Sequence, residues 1–209
     1  MKIGTCVNFS EIDGMGKKFA RLREHNFDSC QLVSWNPAAW TDENASLLKT
    51  LLEQYQITVS AFWCGWSGPA AWNFYDGPLT LGLVPVEYRQ MRIENLCDGA
   101  DFAHKLGITD VVTHMGFIPE NPYDPNFSSF CIAVRTVAEH LKKNGQCLLF
   151  ETGQETPVTM LRCFEAVGTD NLYVNLDTAN LILYGKANPA DALDVFGKYV
   201  RNLHAKDGC

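Results

Sequence analysis

Gln146-Cys-Leu-Leu-Phe-Glu151-Thr, Leu172-Tyr-Val-Asn-Leu-Asp177-Thr and Val200-Arg-Asn-Leu-His204-Ala-Lys206-Asp207 are three short apolar runs, each carrying at its C-terminal end a side chain suited to a metal ion. Glu151, Asp177 and His204 follow one another at intervals of 26 and 27 residues. Each interval holds one strand and one helix, so parallel strands set the three ends side by side. Two carboxylates and an imidazole gathered in one place suit Mg²⁺, Mn²⁺, Co²⁺ or Zn²⁺.

The same alternation of short apolar runs and longer helical patterns extends back to the N-terminus, which is the pattern of βαβ units and a parallel sheet. Strands are predicted at 2–9, 28–35, 57–64, 108–115, 146–151, 172–177 and 200–206. Helices are predicted at 15–26, 42–56, 86–106, 127–144, 156–167 and 189–198. Thr41-Asp-Glu-Asn44 opens the second helix, while Lys105-Leu-Gly107 and Asn144-Gly145 close the third and fourth. Gly4, Gly14 and Gly16 lack the spacing of a dinucleotide-binding fingerprint, which favours a barrel over a doubly wound sheet. A TIM (β/α)8-type barrel takes about 250 residues and rarely fewer than about 200. Seven strands in 209 residues therefore predict one barrel domain over 1–209, C-terminally incomplete, without the last strand and helices.

Bulk properties narrow the function. With 46% hydrophobic and 20% charged residues, the chain buries a sizeable core. A net charge of −7, with 17 scattered basic residues, argues against nucleic acid, which requires a concentrated Lys/Arg footprint. There is no long apolar N-terminal segment and no apolar run approaching a membrane span, so the expectation is a cytoplasmic protein with no membrane contact. The eight cysteines, Cys6, Cys30, Cys64, Cys97, Cys131, Cys147, Cys163 and Cys209, contain no Cys-x-x-Cys pair and read as reduced structural thiols. A missing eighth strand would leave strands 1 and 7 with open edges, a state that favours a homo-oligomer.

Strand alternation extends the candidate site. If Asp177 and His204 face the barrel mouth, so do Asn175, Asn202 and Lys206. Asparagines are unusual in a barrel interior, and Asn175 and Asn202 either orient the ligands or bond to water and backbone. Asp177-Thr178 and Glu151-Thr152 also read as helix N-caps when taken singly. His114 ends the fourth strand in Val111-Val-Thr-His114-Met-Gly116, where it would bind substrate or assist proton transfer, or be a satisfied structural histidine. His25, His104 and His140 fall on helical patterns and are assigned to the surface. The irregular stretch from Gly65 to Pro85 is too long for an ordinary turn and reads as a functional loop at the mouth. Its Trp66 and Trp72, with Trp35 at the end of strand 2, would stack on a sugar, or else cover the barrel end or a dimer interface.

Glu151, Asp177-Thr-Ala-Asn180-Leu, His204-Ala-Lys206-Asp207 and His114-Met-Gly116 together resemble the sugar phosphate isomerase/epimerase superfamily, whose fold is the xylose isomerase-like TIM barrel. The resemblance spans the whole chain without choosing among ketose 3-epimerases, hydroxypyruvate isomerase and inosose dehydratase. It implies that Glu151, Asp177 and His204 are three of four metal ligands, the fourth being a strand-8 glutamate beyond the sequence. It implies a small sugar or sugar phosphate as partner, and isomerisation or epimerisation through an enediolate, with Glu151 taking the proton alpha to a carbonyl and His114 and Lys206 orienting substrate oxygens. Many relatives carry histidine where this chain has Asn180, which would still contact substrate. An inosose dehydratase-like lyase is the alternative enzyme, and a non-catalytic carbohydrate-binding or inactive barrel fragment the alternative without turnover. The endonuclease IV-like nucleases share the fold but need more histidines than the five present here.

Overall fold

In the computed structural model, described for residues 2–207, seven strands form one parallel sheet in the order of the sequence. They are β1 (Thr5–Asn8), β2 (Ser29–Ser34), β3 (Thr58–Cys64), β4 (Asp110–Thr113), β5 (Cys147–Glu151), β6 (Leu172–Asp177) and β7 (Val200–His204). The helices are α1 (Met15–Glu24), α2 (Asp42–Tyr55), α3 (Gly77–Thr80), α4 (Val86–Lys105), α5 (Pro125–Lys143), α6 (Pro157–Val167), α7 (Thr178–Leu183) and α8 (Pro189–Phe196). Each strand pairs with its sequence neighbours, and the sheet curls into an incomplete TIM barrel whose outer strands are β1 and β7. No helix among the described residues is long and apolar enough to cross a membrane.

Within the sheet, the central strands β4, β5 and β6 bury both faces, as parallel sheets do, while the outer strands β1 and β7 are largely open. Outside it, Leu32, Phe62, Val111, Leu148, Phe150 and Val174 pack with helix residues such as Phe19, Leu48, Val134 and Cys163. Inside, Ala61, Trp63, Val112 and Leu149 form a smaller cluster with Trp66 and Leu81 from the long loop. That inner cluster plugs the barrel beneath the mouth. Seven of the cysteines are free; Cys209 lies outside the described residues.

Most predicted elements appear within a few residues of their expected limits, with two additions. The loop after β3 contains the short helix α3, and a further helix, α7, starts directly after β6. Asp177 caps α7 by accepting from the Asn180 amide, so the capping motif read in the sequence opens an element the periodicity did not reveal. Strand β7 ends at His204, leaving Lys206 beyond its end.

The long loop reaches the mouth by crossing the end of β4 at close range. A side chain at Gly82 (φ 65°) would overlap the Met115 carbonyl, and one at Gly116 (φ 91°) would overlap that of Leu81. Glycine alone suits both the positive φ and the contact. With the Leu83 amide donating to Met115 O at 3.0 Å, this crossing fixes the backbone that carries His114.

Candidate active site

Glu151, Asp177 and His204 converge at the C-terminal ends of β5, β6 and β7. Pairing sets Asp177 directly beside His204 and places Glu151 beside Asn175, so the three side chains meet across adjacent strands. The register shifts between Val174/Val200 and Asn175/Asn202, which leaves Arg201 as an extra residue on β7 and re-aims the end of that strand, where His204 sits, a common device beside functional sites. One ligand atom from each residue lies within 4.8 Å of the others. His204 Nδ1 is 3.1 Å from Glu151 Oε1 and 3.6 Å from Asp177 Oδ2.

The two carboxylates are held by different means. Glu151 is buried, with Oε2 accepting from the Trp63 indole N–H and Oε1 facing His204 and, at 3.6 Å, His114 Nε2. Burial works against its charge, yet His114, His204 and Trp63 hold its pKa below the usual carboxylate range. Asp177 divides its oxygens: Oδ1 accepts from the Asn180 amide at 2.9 Å, while Oδ2 faces His204 and, at 3.3 Å, Lys206 Nζ. Its pKa is also lowered, because His204, the Asn180 amide and Lys206 outweigh the burial that opposes ionisation.

The imidazoles diverge. Burial opposes a charge on His204, but hydrogen bonds with Asp177, Cys6 and Glu151 overcome it and lift its pKa to about 11. His114 is fully enclosed and its pKa is lowered, chiefly by burial, despite the charges of Glu151 and Asp177. One ring is thus a cation filling the space between two carboxylates, and the other is neutral at neutral pH. Two carboxylates gathered around one positive charge, with all three donor atoms in reach of a common point, fit a divalent ion replacing that proton.

Glu151, His114 and His204 floor a cavity of about 390 Å³, with Asp177 behind them. Trp35, Trp63 and Trp72 form its aromatic wall, and His114, Gln154, Asn180 and Lys206 its polar side. Trp72 and Trp35 are partly exposed and meet edge to face at 6.0 Å. Trp66 lies behind them, 3% exposed, packed on Trp35 at 5.0 Å and under the Arg92 guanidinium at 5.2 Å. Lys206 Nζ reaches Asn180 Oδ1 at 2.7 Å, and Asn180 Nδ2 donates to Thr152 O at 3.2 Å, so the Asn180 amide is engaged at both ends.

Sequence reading missed Gln31, Trp63, Gln154 and Tyr184, of which the last three line the cavity. Gln31, on β2, sits 2.8 Å from His204 Nε2 through its Oε1. Its signal was the alternation Gln31, Val33, Trp35, a polar residue on the inward face of a strand. Asn175 Oδ1 accepts from Gln31 Nε2 at 3.4 Å, while Asn175 Nδ2 and Asn202 Nδ2 are both buried with no hydrogen-bond partner among the described residues.

The sequence matches the model of the xylose isomerase-like TIM barrel over residues 19–208. The chain belongs to that family. Among curated proteins, none matches it. A solved xylose isomerase domain protein from Planctomyces limnophilus is 31% identical, with 99% of this chain aligned to 74% of that one and a TM-score of 0.91. An L-ribulose 3-epimerase superposes with a TM-score of 0.75 at 20% identity, covering 97% of this chain and 69% of its own. A xylose isomerase-like TIM barrel protein from Mycobacterium smegmatis, solved in complex with magnesium, gives 0.73 at 20% identity over 98% and 74%. The last two likenesses establish the shared barrel.

Proposed function

We infer that this family member is a divalent-metal-dependent sugar or sugar-phosphate isomerase or epimerase that moves a proton at the carbon alpha to a carbonyl. The observation that carries the reading is Glu151: a buried yet ionised carboxylate at the floor of an aromatic-walled cavity, beside the Asp177–His204 pair. A base must begin deprotonated, and the donors from Trp63 and His204 keep Glu151 so. The fold shared with an L-ribulose 3-epimerase agrees with sugar chemistry.

A divalent ion such as Mn²⁺, Mg²⁺, Co²⁺ or Zn²⁺, held by Glu151, Asp177 and His204, would supply positive charge beside the substrate oxygens and favour the enediolate. Neutral His114, enclosed beside Glu151, offers a hydrogen-bonding nitrogen to the oxygen next to the carbon that loses its proton. Lys206, braced by Asn180 and Asp177, presents an ammonium to the same side. Trp35 and Trp72 cover the apolar face of the sugar ring and exclude water, with Trp66 supporting them from behind.

The test is solvent exchange. The chain is incubated with Mn²⁺ and a panel of ketoses and ketose phosphates in D2O, and loss of the α-proton is followed by NMR. The expected result is exchange into at least one sugar, reduced about 10²–10⁴-fold by Glu151→Gln. Tight metal binding without exchange into any of them would turn the reading to a carbohydrate-binding barrel.

A further inference from the structure

The two nitrogens of His204 have unlike surroundings. Nδ1 faces the carboxylates of Glu151 and Asp177, at 3.1 and 3.6 Å. Nε2 faces Gln31 Oε1, at 2.8 Å, across the interior from β7 to β2. A carbonyl oxygen only accepts, so the hydrogen in this contact belongs to Nε2. A neutral ring carrying its hydrogen on Nε2 has one free lone pair, on Nδ1, and that is the nitrogen aimed at the carboxylates.

The Gln31 amide is itself oriented. Its Nε2 donates to Asn175 Oδ1 at 3.4 Å, which turns Oε1 toward His204. Flipped, the amide would set its NH2 against the ring, which would then accept at Nε2 and carry its hydrogen on Nδ1. The lone pair facing Glu151 and Asp177 would be closed. Gln31 is 7% exposed and lies on the inward face of β2, so it has little freedom to leave this arrangement.

We propose that Gln31 is the positioning residue of the metal centre: held by Asn175, it fixes His204 with hydrogen on Nε2 and so presents Nδ1 to a divalent cation. This rests on the metal reading above and adds a residue on a strand that supplies none of the three ligands. Partners that orient a metal-binding histidine through its second nitrogen typically contribute about 10–100-fold in affinity.

Two measurements on the 209-residue chain test it. Calorimetric titration with Mn²⁺ is expected to show Gln31→Leu, close in size but without an acceptor, binding about 10–100-fold more weakly than wild type. Gln31→Glu, which keeps an acceptor in place, is expected to restore binding to within about threefold of wild type or better. In the Zn²⁺-loaded wild type, ¹⁵N–¹H correlation of the His204 ring is expected to show metal on Nδ1 and a slowly exchanging proton on Nε2, a readout that needs no variant to fold. Coordination through Nε2, or Gln31→Leu binding as tightly as wild type, would overturn the role of Gln31 while leaving the metal reading intact. A wild type that binds neither ion would overturn both.

Discussion

The Thr152 hydroxyl joins Asp177 twice, donating to its carbonyl oxygen at 2.8 Å and accepting from its amide at 2.8 Å. One side chain at the end of β5 thus completes the pairing of β5 with β6 at the point where both strands deliver a carboxylate. Thr152→Val keeps the shape and orphans both backbone groups, in a place that is fully buried. The expected loss is about 1–3 kcal/mol of stability in chemical denaturation, with Thr152→Ser recovering most of it. A valine variant as stable as wild type would show that the strand ends are held by their flanks alone.

Glu155 makes stability fall as pH rises from about 4.5 to about 8. Burial of its carboxyl pushes its pKa up to about 8 from an unperturbed value near 4.5, outweighing the opposite pull of the Glu155 and Gln154 backbone amides and of Lys186. The folded state therefore retains a proton that the unfolded chain releases. The contribution of this group is fully present below about pH 4.5 and is lost as pH rises toward 8. Glu155→Gln, neutral throughout, is expected to gain stability over wild type across that interval, by on the order of a few kcal/mol by pH 8. Melting temperatures of both proteins from pH 5 to 8 check this; a constant difference would refute it.

Much of this was legible in the sequence, for reasons specific to certain residues. Equal spacing revealed Glu151, Asp177 and His204 because each ends a βα unit, and such units have nearly constant length. Alternation then brought in Asn175 and Lys206. The same alternation on strand 2 picks out Gln31, but without a ligand at that strand's end nothing drew attention to it. Trp63 was hidden because tryptophan in an apolar strand reads as core, and it is core along one edge of its ring; only the position of its N–H beside Glu151 distinguishes it. Trp66 was expected among the substrate-facing aromatics, yet the loop turns its ring inward onto Arg92. Loop conformation is set by such long-range contacts, which local pattern does not encode.

Arg92 holds that loop in place. Its guanidinium, fully buried between the rings of Trp66 and Tyr88, donates to Gly82 O at 2.6 Å and to Pro69 O at 2.8 Å. No carboxylate is among these partners; carbonyl oxygens carry the contact, and burial lowers its pKa to about 10. Arg92→Met is expected to cost about 2–4 kcal/mol by orphaning those carbonyls. It is also expected to open the 65–85 segment to limited proteolysis before global unfolding. Arg92→Lys should recover only part, since one ammonium cannot reach both sides of the loop at once. Unchanged cleavage in the methionine variant would mean that the glycine crossing at Gly82 and Gly116 suffices to fix the loop.

Asp177 offers a way to separate folding from metal binding at the centre of the site. Its Oδ1 caps α7 while its Oδ2 faces His204, so Asp177→Ala removes both functions together. Asp177→Asn keeps a capping side chain, since asparagine serves as well as aspartate at an N-cap, and removes only the charge. The alanine variant is expected to lose about 0.5–2 kcal/mol of stability as well as Mn²⁺ binding. The asparagine variant keeps the cap but loses the charge paired with His204 and Lys206, so it is expected to retain α7 better than the alanine variant while binding Mn²⁺ far more weakly, because a hard divalent cation depends on anionic oxygen donors. His204→Ala, outside any cap, should likewise abolish binding with little effect on α7. Calorimetric titration beside thermal melts distinguishes the outcomes. If Asp177→Asn binds Mn²⁺ as tightly as wild type, Asp177 is a helix cap and not a ligand, and the metal must be sought elsewhere in the barrel mouth.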